Sequence, residues 1–490
     1  MRYGFLIDHD RCIGCHACTV ACKAENSVPV GDFRTWVKYA EVGTFPDVRR
    51  HFAVLRCNHC DNAPCVTICP VNALEKRDDG IVDIDRDACI GCRACMQACP
   101  YDAIYLNDDS GAVEKCHFCA HRVENGLEPA CVIVCPETAI ITGDLDDPDS
   151  PLSRLIADND TLVRRPEQGT GPNVHYKGAH ASLLEPGSSE RPEMYLWSDR
   201  PPDKPEPWPV SLPVLPSART VLDTGHRIEW GWPVALYLLT KSIAAGLAIL
   251  APLAARMGLG GWAQRYLPET VAIVMTIVTV GLLIEDLARP SLFYRLLTRP
   301  NWRSWLVKGG IVLGVFGAGL AAALGLRIAG LDGPADAMRW VNAALGVAAA
   351  GYTAFLFKQC EGRDLWQEPG LFEHLLVQAV LCGALVMLPM SDSPATLRWV
   401  VILASVLHFI FALHAQLGHH RTTNARQGAA FLDVVRAGRV GAFRWGLILG
   451  VGVVLVVMFP WPWAATGAGL VGLLLYEWAF VRAGQLPPLS

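Results

Sequence analysis

Sixteen of the 18 cysteines of this 490-residue chain lie between Cys12 and Cys135, in four groups of four. Two groups are spaced C-x2-C-x2-C-x3-C, and the other two keep the final x3 step after an x4 or an x11 insertion. So many closely spaced thiols indicate shared ligand sites rather than ordinary core positions. The groups are Cys12, Cys15, Cys18 and Cys22; Cys57, Cys60, Cys65 and Cys69; Cys89, Cys92, Cys95 and Cys99; and Cys116, Cys119, Cys131 and Cys135.

The spacing favours iron–sulfur clusters. A C-x2-C-x2-C-x3-C-P run is typical of two-cluster ferredoxins, in which the fourth cysteine ligates the other cluster. Three thiolates on a tight loop reach three irons of one cube, and the fourth begins a helix that leads toward a second cube. Zinc sites usually use separated C-x2-C pairs, and disulfides are rare in the cytoplasm. Sixteen ligands therefore predict four [4Fe–4S] clusters.

The residues Cys12-Ile13-Gly14-Cys15-His16 also form the C-x-x-C-H attachment box of a c-type haem. Haem binding there would leave the first group short of ligands, so we expect His16 to be a loop residue beside a cluster. The stretch "MRYGFLIDHDRC" contains neither the apolar core of a secretory signal nor a twin-arginine pair. We expect a cytoplasmic cysteine-rich half, unless a partner carries the folded domain across the membrane.

Long uncharged stretches follow after about residue 230, for example "GGIVLGVFGAGLAAALGL" over 309–326. About 20 apolar residues cross a bilayer core. Similar stretches begin near residues 230, 270, 306, 339, 371, 398, 441 and 464, which predicts eight crossings with both ends on one side. The flanking Lys and Arg residues number fifteen on the side of the N-terminus and five on the other. By the positive-inside rule this places the cysteine-rich half in the cytoplasm, at the inner membrane.

We expect an α+β ferredoxin-like domain over residues 1–180, a proline-rich linker over 181–225 and an all-α transmembrane bundle of about eight helices over 226–490, with the outer bounds taken from the family resemblances given below. Seven prolines between Pro201 and Pro216 favour an extended spacer. It is interpreted equally well as a strap between the two parts or as a passive tether. The net charge of −5 is small for this length, so no nucleic-acid partner is expected.

The stretches "CNHCDNAPCVTICP" and "KCHFCAHRVENGLEPACVIVCPETAI" resemble the electron-transfer subunit of molybdopterin oxidoreductases, the family of the dimethyl sulfoxide, polysulfide and nitrate reductases. The resemblance covers about residues 1–180 and ends with "GTGPNVHYKG". It implies that the first group pairs with the fourth, and the second with the third. The implied ligand sets are Cys12, Cys15, Cys18 and Cys135; Cys22, Cys116, Cys119 and Cys131; Cys57, Cys60, Cys65 and Cys99; and Cys69, Cys89, Cys92 and Cys95.

Residues 226–490 resemble the NrfD/polysulfide reductase membrane subunits. The matching stretches are "WGWPVALYLLTKSIAAG", "LIEDLARPSLFYRLLTRPNWRSWLVKGG", "GYTAFLF" and "YEWAFVRAGQLPPLS". The resemblance implies a haem-free bundle that exchanges electrons with a membrane quinone, either ubiquinone or menaquinone. The family's pocket carboxylate and tyrosine correspond to Asp286 and Tyr352.

Ionisable residues inside membrane spans are costly and usually mark a functional pathway. Tyr237 and Lys241 in the first span, His408 in the sixth and Glu477 in the last are therefore further quinone-site candidates. A quinone site needs hydrogen-bond donors and a group that relays protons. Alternatives remain open: Lys241 could snorkel or pair with Glu477, and Tyr237 could belong to an aromatic belt.

Three other groups have structural interpretations. Glu285, Arg289 and Lys308 could pair with one another at the membrane interface. His408 and His414 face different directions, and His374 is the obvious partner for a b-type haem, which we do not expect. Cys360 and Cys382 are interpreted as inert core thiols.

We expect no substrate-binding catalytic domain in this chain and interpret it as part of an enzyme. The resemblance implies a molybdenum or tungsten bis-molybdopterin catalytic partner, with the chain passing electrons between that partner and the quinone pool. Two alternatives are a membrane module of a proton-translocating respiratory complex and a cytochrome-b-type anchor.

Overall fold

The computed structural model describes residues 1–190, 218–225 and 227–490. The first part is a mixed α+β domain and the rest is a helical bundle, as predicted. The proline-rich stretch from Pro201 to Pro216 lies outside the described residues, so its role as strap or tether stays a prediction.

The α+β domain is built on short strands. A four-stranded sheet has the order β8-β1-β10-β9, a second sheet has the order β11-β2-β3, and β4-β5 and β6-β7 form two antiparallel hairpins. The strands are β1 (Tyr3–Asp8), β2 (Thr35–Thr44), β3 (Asp47–Arg56), β4 (Leu74–Lys76), β5 (Val82–Ile84), β6 (Ile104–Asn107), β7 (Ala112–Lys115), β8 (Ile140–Asp144), β9 (Thr161–Leu162), β10 (Val174–Lys177) and β11 (Ala218–Leu222).

Four short helices carry cysteines, because the x3 step spans one helical turn. Residues one turn apart lie on one face at different heights, so the third and fourth cysteines of a group can reach different cavities. The helices of this domain are α1 (Ala17–Asn26), α2 (Pro64–Ile68), α3 (Ala94–Ala98), α4 (Ala120–Val123), α5 (Ala130–Ile133), α6 (Pro151–Ala157) and α7 (Ala181–Leu184).

Residues placed in the predicted linker partly belong to this domain. Strand β11 pairs with β2, and Ser189 is hydrogen-bonded to Thr220 over 2.6 Å. The α+β domain therefore extends beyond residue 180 on both sides of the stretch that is not described.

Seven helices of the described residues are long and apolar enough to cross a membrane. Their starts lie within a few residues of the predicted ones in most cases, and the second and fourth begin earlier than predicted. The helices are α8 (Trp232–Leu250), α9 (Gly261–Glu285), α11 (Trp305–Ile328), α12 (Asp332–Gln359), α13 (Leu371–Met387), α14 (Ala395–Leu417) and α18 (Pro462–Gln485); the shorter ones are α10 (Arg295–Thr298), α15 (Thr423–Val434), α16 (Ala442–Leu447) and α17 (Val454–Val457). A hairpin, β12 (Arg436–Ala437) and β13 (Val440–Gly441), precedes α16.

The seventh predicted crossing, near residue 441, corresponds to α16 and α17, which a π-helical stretch, Ile448–Val453, joins into one helical run. This run reaches from Arg444, bound to Asp433, to Phe459, whose carbonyl accepts a hydrogen bond from Arg398 at the start of α14. Residues 442–457 span about 24 Å at 1.5 Å per residue, less than a bilayer core of about 30 Å. The run of α16 and α17 is therefore shorter than each of the other seven helices.

Both ends of the bundle face the α+β domain. Helix α8 begins beside it, and after α18 the carbonyl of Leu489 accepts a hydrogen bond from Arg164 over 2.5 Å. Ser490 donates to Asp223 over 3.0 Å. The first and the last helix of the bundle therefore have their outer ends on the same side, next to the α+β domain. One hydrophobic core continues from the cysteine-rich domain through Trp230 and Phe357 into the bundle.

Candidate metal centres and their contact with the bundle

Four cavities of about 280 to 350 Å³ lie in the α+β domain, and four cysteines line each of them. Each cavity is lined by cysteines of two groups. Two cavities combine the first group with the fourth, and the other two combine the second with the third. The sets are the four that the family resemblance implies. They are Cys12, Cys15, Cys18 and Cys135; Cys69, Cys89, Cys92 and Cys95; Cys22, Cys116, Cys119 and Cys131; and Cys57, Cys60, Cys65 and Cys99.

The donor sets fit polynuclear clusters. All 18 cysteines are free thiols. In the described ranges, no three His, Cys, Asp or Glu side chains converge closely enough to hold a single metal ion. The quartets instead surround cavities, as iron–sulfur cubes held by four thiolates require. Backbone amides also point at the sulfurs: Ala73 N donates to Cys69 Sγ at 3.2 Å and Ala139 N to Cys135 Sγ at 3.3 Å.

A buried cation lies among the thiols. Arg56 is fully buried, and its Nη1 lies 3.2 Å from Cys131 Sγ. Burial raises the pKa of Cys18 to about 12, although Arg56 acts in the opposite direction. The thiol would therefore stay protonated unless metal coordination drove its deprotonation. Iron bound in these cavities would supply that charge compensation.

One cavity opens toward solvent, and we call it the surface cavity (Cys12, Cys15, Cys18 and Cys135). Cys15 is exposed, Ile13 in the same lining is 55% exposed, and Val20 on α1 is 65% exposed. His16 lines the same cavity and caps α1 with a φ of 61°, so it is a loop residue beside the quartet, as expected.

A second cavity lies directly against the bundle, and we call it the membrane-proximal cavity (Cys69, Cys89, Cys92 and Cys95). Three side chains of the bundle half donate hydrogen bonds to carbonyls of its cysteines. The bonds run from Trp230 Nε1 to Cys92 O at 3.4 Å, from Arg289 Nη1 to Cys89 O at 3.1 Å and from Asn301 Nδ2 to Cys69 O at 2.8 Å. Arg289 therefore binds the cysteine loops, rather than forming the interface pair that we considered.

The approach of the two halves is close at Gly91, between Cys89 and Cys92. Its φ is +68°, and a Cβ there would lie 2.6 Å from the Cβ of Ala288 and 2.5 Å from the carbonyl of Gly111. The Ala288 amide donates to Gly91 O at 3.2 Å. Only glycine fits both the backbone conformation and the space.

Asp286, just after α9, contacts this junction through an ion pair of 2.9 Å with Arg93. Burial raises the pKa of the Asp286 carboxyl to about 6, although Arg93 acts in the opposite direction. Glu229 lies 3.8 Å from the same guanidinium. Arg93 was not among the residues we singled out, although its position next to Cys92 is a signal that the sequence contains.

Tyr352 is buried on α12, with its ring against Gly309 of α11. The Nζ of Lys241 lies 5.2 Å from the centre of this ring. Among the described residues, no hydrogen bond joins Tyr352 to Asp286. The joint role of the two residues predicted at the quinone site therefore stays a prediction.

Lys241 is buried and donates to Ala350 O at 2.9 Å and to Thr353 Oγ1 at 2.7 Å. Among the described residues no salt bridge within 4.0 Å joins it to Glu477, but the two charges attract each other, and Glu477 is also hydrogen-bonded to Gln378. The burial of Lys241 excludes snorkelling, and Tyr237 is 4% exposed, which excludes a place in an aromatic belt. Thr353 and Gln378 are neighbours that sequence reasoning missed.

His408 and His374 are buried and joined by a hydrogen bond of 2.9 Å between Nδ1 and Nε2. Their ring centres are 5.1 Å apart, and Tyr476 packs edge-on against both. The two imidazoles thus bind each other rather than facing the two sides of a macrocycle. Tyr476 precedes Glu477 and was not predicted.

Comparison with known protein families divides the chain into the same two parts, the α+β domain and the helical bundle. Residues 220–485 match the family described as "Polysulphide reductase, NrfD". Residues 48–145 match the "4Fe-4S dicluster domain" and residues 3–24 a "4Fe-4S binding domain".

Several curated proteins resemble the α+β part. A tetrathionate reductase subunit of Salmonella typhimurium is 44% identical over 202 residues, which is 40% of this chain and 80% of that protein. A polysulfide reductase component of Wolinella succinogenes is 40% identical over 176 residues, 35% of this chain and 92% of that protein. The arsenate respiratory reductase iron-sulfur subunit of a Shewanella species is 38% identical over 224 residues, 36% of this chain and 96% of that protein.

Proposed function

The chain belongs to the polysulphide reductase NrfD family, and on this premise we propose that it is the electron-transfer and membrane-anchor subunit of a molybdopterin-dependent oxidoreductase complex. It passes electrons between a molybdenum or tungsten catalytic subunit and a membrane quinone. The similarity to tetrathionate and polysulfide reductase subunits supports this role. The iron–sulfur domain and the seven apolar helices make it a multi-pass membrane iron–sulfur protein.

Four [4Fe–4S] clusters are proposed, one in each cysteine-lined cavity. The clusters supply one-electron transfer when bound. The chain's own contribution is to hold each quartet in place, to aim amides at the sulfurs and to bury a cation, Arg56, among them.

The observation that carries the proposal is the contact between the membrane-proximal cavity and the bundle. Backbone carbonyls of three of its cysteines accept hydrogen bonds from Trp230, Arg289 and Asn301. A cluster bound in this cavity would therefore lie directly at the end of the helices, rather than at a distance on a tether. Electrons can then enter or leave the bundle without a mobile carrier.

The quinone site is proposed near the cysteine-facing end of α12. Tyr352 lies about 10 Å before the end of α12 at 1.5 Å per residue, and Gly362, just beyond, packs against the carbonyl of Cys99. The Tyr352 hydroxyl would donate to a quinone carbonyl, and the nearby Lys241 cation would favour the reduced form. Asp286 would pass protons at the interface, with Tyr237, His408 and Glu477 as further polar groups of the pathway.

The catalytic subunit is proposed to dock over the surface cavity. Cys15 is exposed there, and the exposed Ile13 and Val20 offer apolar area for a partner. The surface cavity is lined by cysteines of the first and fourth groups, whereas the membrane-proximal cavity is lined by cysteines of the second and third. The proposed location is the inner membrane, with the iron–sulfur domain in the cytoplasm.

The test is the reduction of the clusters by a quinol analogue in the purified complex, followed by bleaching of the visible absorbance. We expect Tyr352→Phe to slow quinol-driven bleaching by roughly 10²–10⁴-fold, as for loss of a proton-transfer group, while dithionite still bleaches fully. Tyr266→Phe, at the far end of α9, is the matched control. Unchanged quinol kinetics in Tyr352→Phe would place the site elsewhere, with Tyr237, Lys241 and His408 next to be tested.

A second candidate function is proton translocation, which one observation favours. Buried ionisable groups occur along the bundle: Glu269 and Arg339 form a 2.5 Å ion pair near the end remote from the clusters, and Lys241 and His408 lie deeper inside. Proton uptake by proteoliposomes during quinone-linked turnover tests it. A ratio no greater than the protons of quinone chemistry itself would reject it.

A further inference from the structure

A buried arginine from the bundle half reaches the cysteine-rich domain. Arg363 lies in the segment between α12 and α13 and is 2% exposed. Its neighbour Gly362 is so close to Cys99 that an added Cβ would lie 2.5 Å from the Cys99 carbonyl oxygen. Arg363 interacts electrostatically with the Asp102 carboxylate first, and also with the thiols of Cys360 and Cys99. The bundle half therefore places a positive charge beside one ligand of the cavity formed by Cys57, Cys60, Cys65 and Cys99, which we call the inner cavity.

Two buried glutamines hold this guanidinium. Arg363 Nε donates to Gln97 Oε1 at 2.7 Å, and Nη1 donates to the carbonyl of Gln485 at 3.3 Å. The glutamines also bind each other, with Gln97 Nε2 donating to Gln485 Oε1 at 3.0 Å. All three side chains are almost inaccessible to water. We call these three residues the Arg363 network.

The Arg363 network also fixes the start of the bundle. Gln485 Oε1 accepts from the amide of Trp230 at 3.0 Å, and Gln485 Nε2 donates to the Trp230 carbonyl at 2.9 Å. The Trp230 indole in turn donates to Cys92 O. One glutamine near the end of the last membrane helix thus joins the first membrane helix to the cysteine loops.

Gln97 connects the Arg363 network to two of the cysteine-lined cavities. Gln97 lies on α3 between Cys95, which lines the membrane-proximal cavity, and Cys99, which lines the inner cavity. A charge buried in a low-dielectric interior interacts with its neighbours more strongly than one in water. Net charge and hydrogen bonding set the reduction potential of iron–sulfur clusters, and a nearby cation favours the reduced, more negative form.

We propose that Arg363 is a positioning residue that raises the reduction potential of the cluster in the inner cavity, so that the docked bundle half tunes the electron path. The proposal rests on the proposed function insofar as that cavity holds a [4Fe–4S] cluster. It concerns one-electron reduction of the cluster without bond making or breaking. Gln97 and Gln485 hold the Arg363 guanidinium in place beside Cys99.

The experiment is a mediated redox titration of the full-length protein in its complex, followed by electron paramagnetic resonance. Arg363→Gln should shift the equilibrium of one cluster toward the oxidised form by tenfold or more, which corresponds to 59 mV for a one-electron couple. Arg363→Lys keeps the charge and should shift it much less. The control Arg265→Gln removes an equal charge at the remote end of the bundle, where Arg265 binds Asp332, and should shift nothing.

Iron analysis accompanies each titration. Unchanged potentials in a fully loaded Arg363→Gln protein, or an equal shift of all clusters, would overturn the proposal. If Arg363→Gln loses iron, Gln97→Ala decides: it frees the guanidinium from its Nε hydrogen bond, so the potential of the cluster in the inner cavity should fall, and an unchanged potential would overturn the proposal. The titration uses chemical mediators, so failure of quinol to reduce the clusters would count against the proposed function alone.

Discussion

Arg93 and Asp286 form an ion pair of 2.9 Å that joins the cysteine-rich domain to the bundle. Arg93 directly follows Cys92, which lines the membrane-proximal cavity, and Asp286 directly follows a membrane helix. A proton-accepting carboxylate thus lies at the point where electrons would pass between the two parts. The pH response of this junction, the metal content, the sidedness of the membrane half and the packing at Gly91 can each be tested.

The first concerns pH. Burial raises the pKa of Asp286 to about 6, and Arg93 only partly offsets this. The ion pair therefore exists above about pH 6 and is lost as the pH falls through that value. We expect quinone-linked turnover, measured against pH and divided by dye-linked turnover, to decline below about pH 6. Asp286→Asn should abolish this acid limb and slow turnover, and Glu285→Gln, its neighbour, should keep the limb.

The same pKa has a consequence for stability. The native pKa lies above the ordinary value of 3.8, so the native state binds more protons between about pH 4 and pH 6. Stability contributed by this group is therefore present at acid pH and lost as the pH rises through that window. Asp286→Asn should make thermal unfolding less dependent on pH there; an unchanged dependence would contradict the raised pKa.

The second concerns metal content. Protein purified without oxygen should contain about sixteen iron and sixteen sulfide per chain, at four irons per cube. Cys92→Ser should lower the iron content by up to one cube, because Cys92 lines a quartet. Cys382→Ser, a buried thiol of α13 outside every quartet, should leave it unchanged. Saturation near eight irons, or stoichiometric zinc, would contradict four clusters.

The third concerns sidedness. The chain end lies against the α+β domain through Leu489 and Arg164, and the basic residues concentrate on that side. A reporter that works only in the cytoplasm should be active when fused after Ser490. An active periplasmic phosphatase at the same position would reverse the orientation and indicate export with a partner.

The fourth concerns the contact between the two halves at Gly91. Gly91→Ala should separate the two halves, because the new Cβ would collide with Ala288, and quinone-linked activity should fall while iron content is retained. Gly126→Ala is the matched control: its φ is +73°, but nothing lies within 4 Å of the new Cβ. Both carry the left-handed backbone cost of about 1–2 kcal/mol, so equal losses of activity would show that strain, not contact, is responsible.

Much of the architecture could be predicted because it depends on local spacing. The x3 step between cysteines is one helical turn, and apolar stretches of about 20 residues match a bilayer. The fusion of an iron–sulfur domain with a membrane subunit of the NrfD family is confirmed by the matches to both families. The pairing of cysteine groups required the family resemblance, since spacing alone leaves it open.

The tertiary structure alone decided which residues meet across the two halves. Gln97 and Gln485 are 388 residues apart, and Gln97 and Arg363 are 266 apart, so no local pattern links them. A glutamine or an arginine near a helix end usually signals solvent exposure, and only packing shows that these are buried. The sequence by itself therefore determined the four cysteine groups and the long apolar helices, because these follow from short-range spacing. Which cavity faces the bundle, and which charges lie beside it, depended on long-range packing.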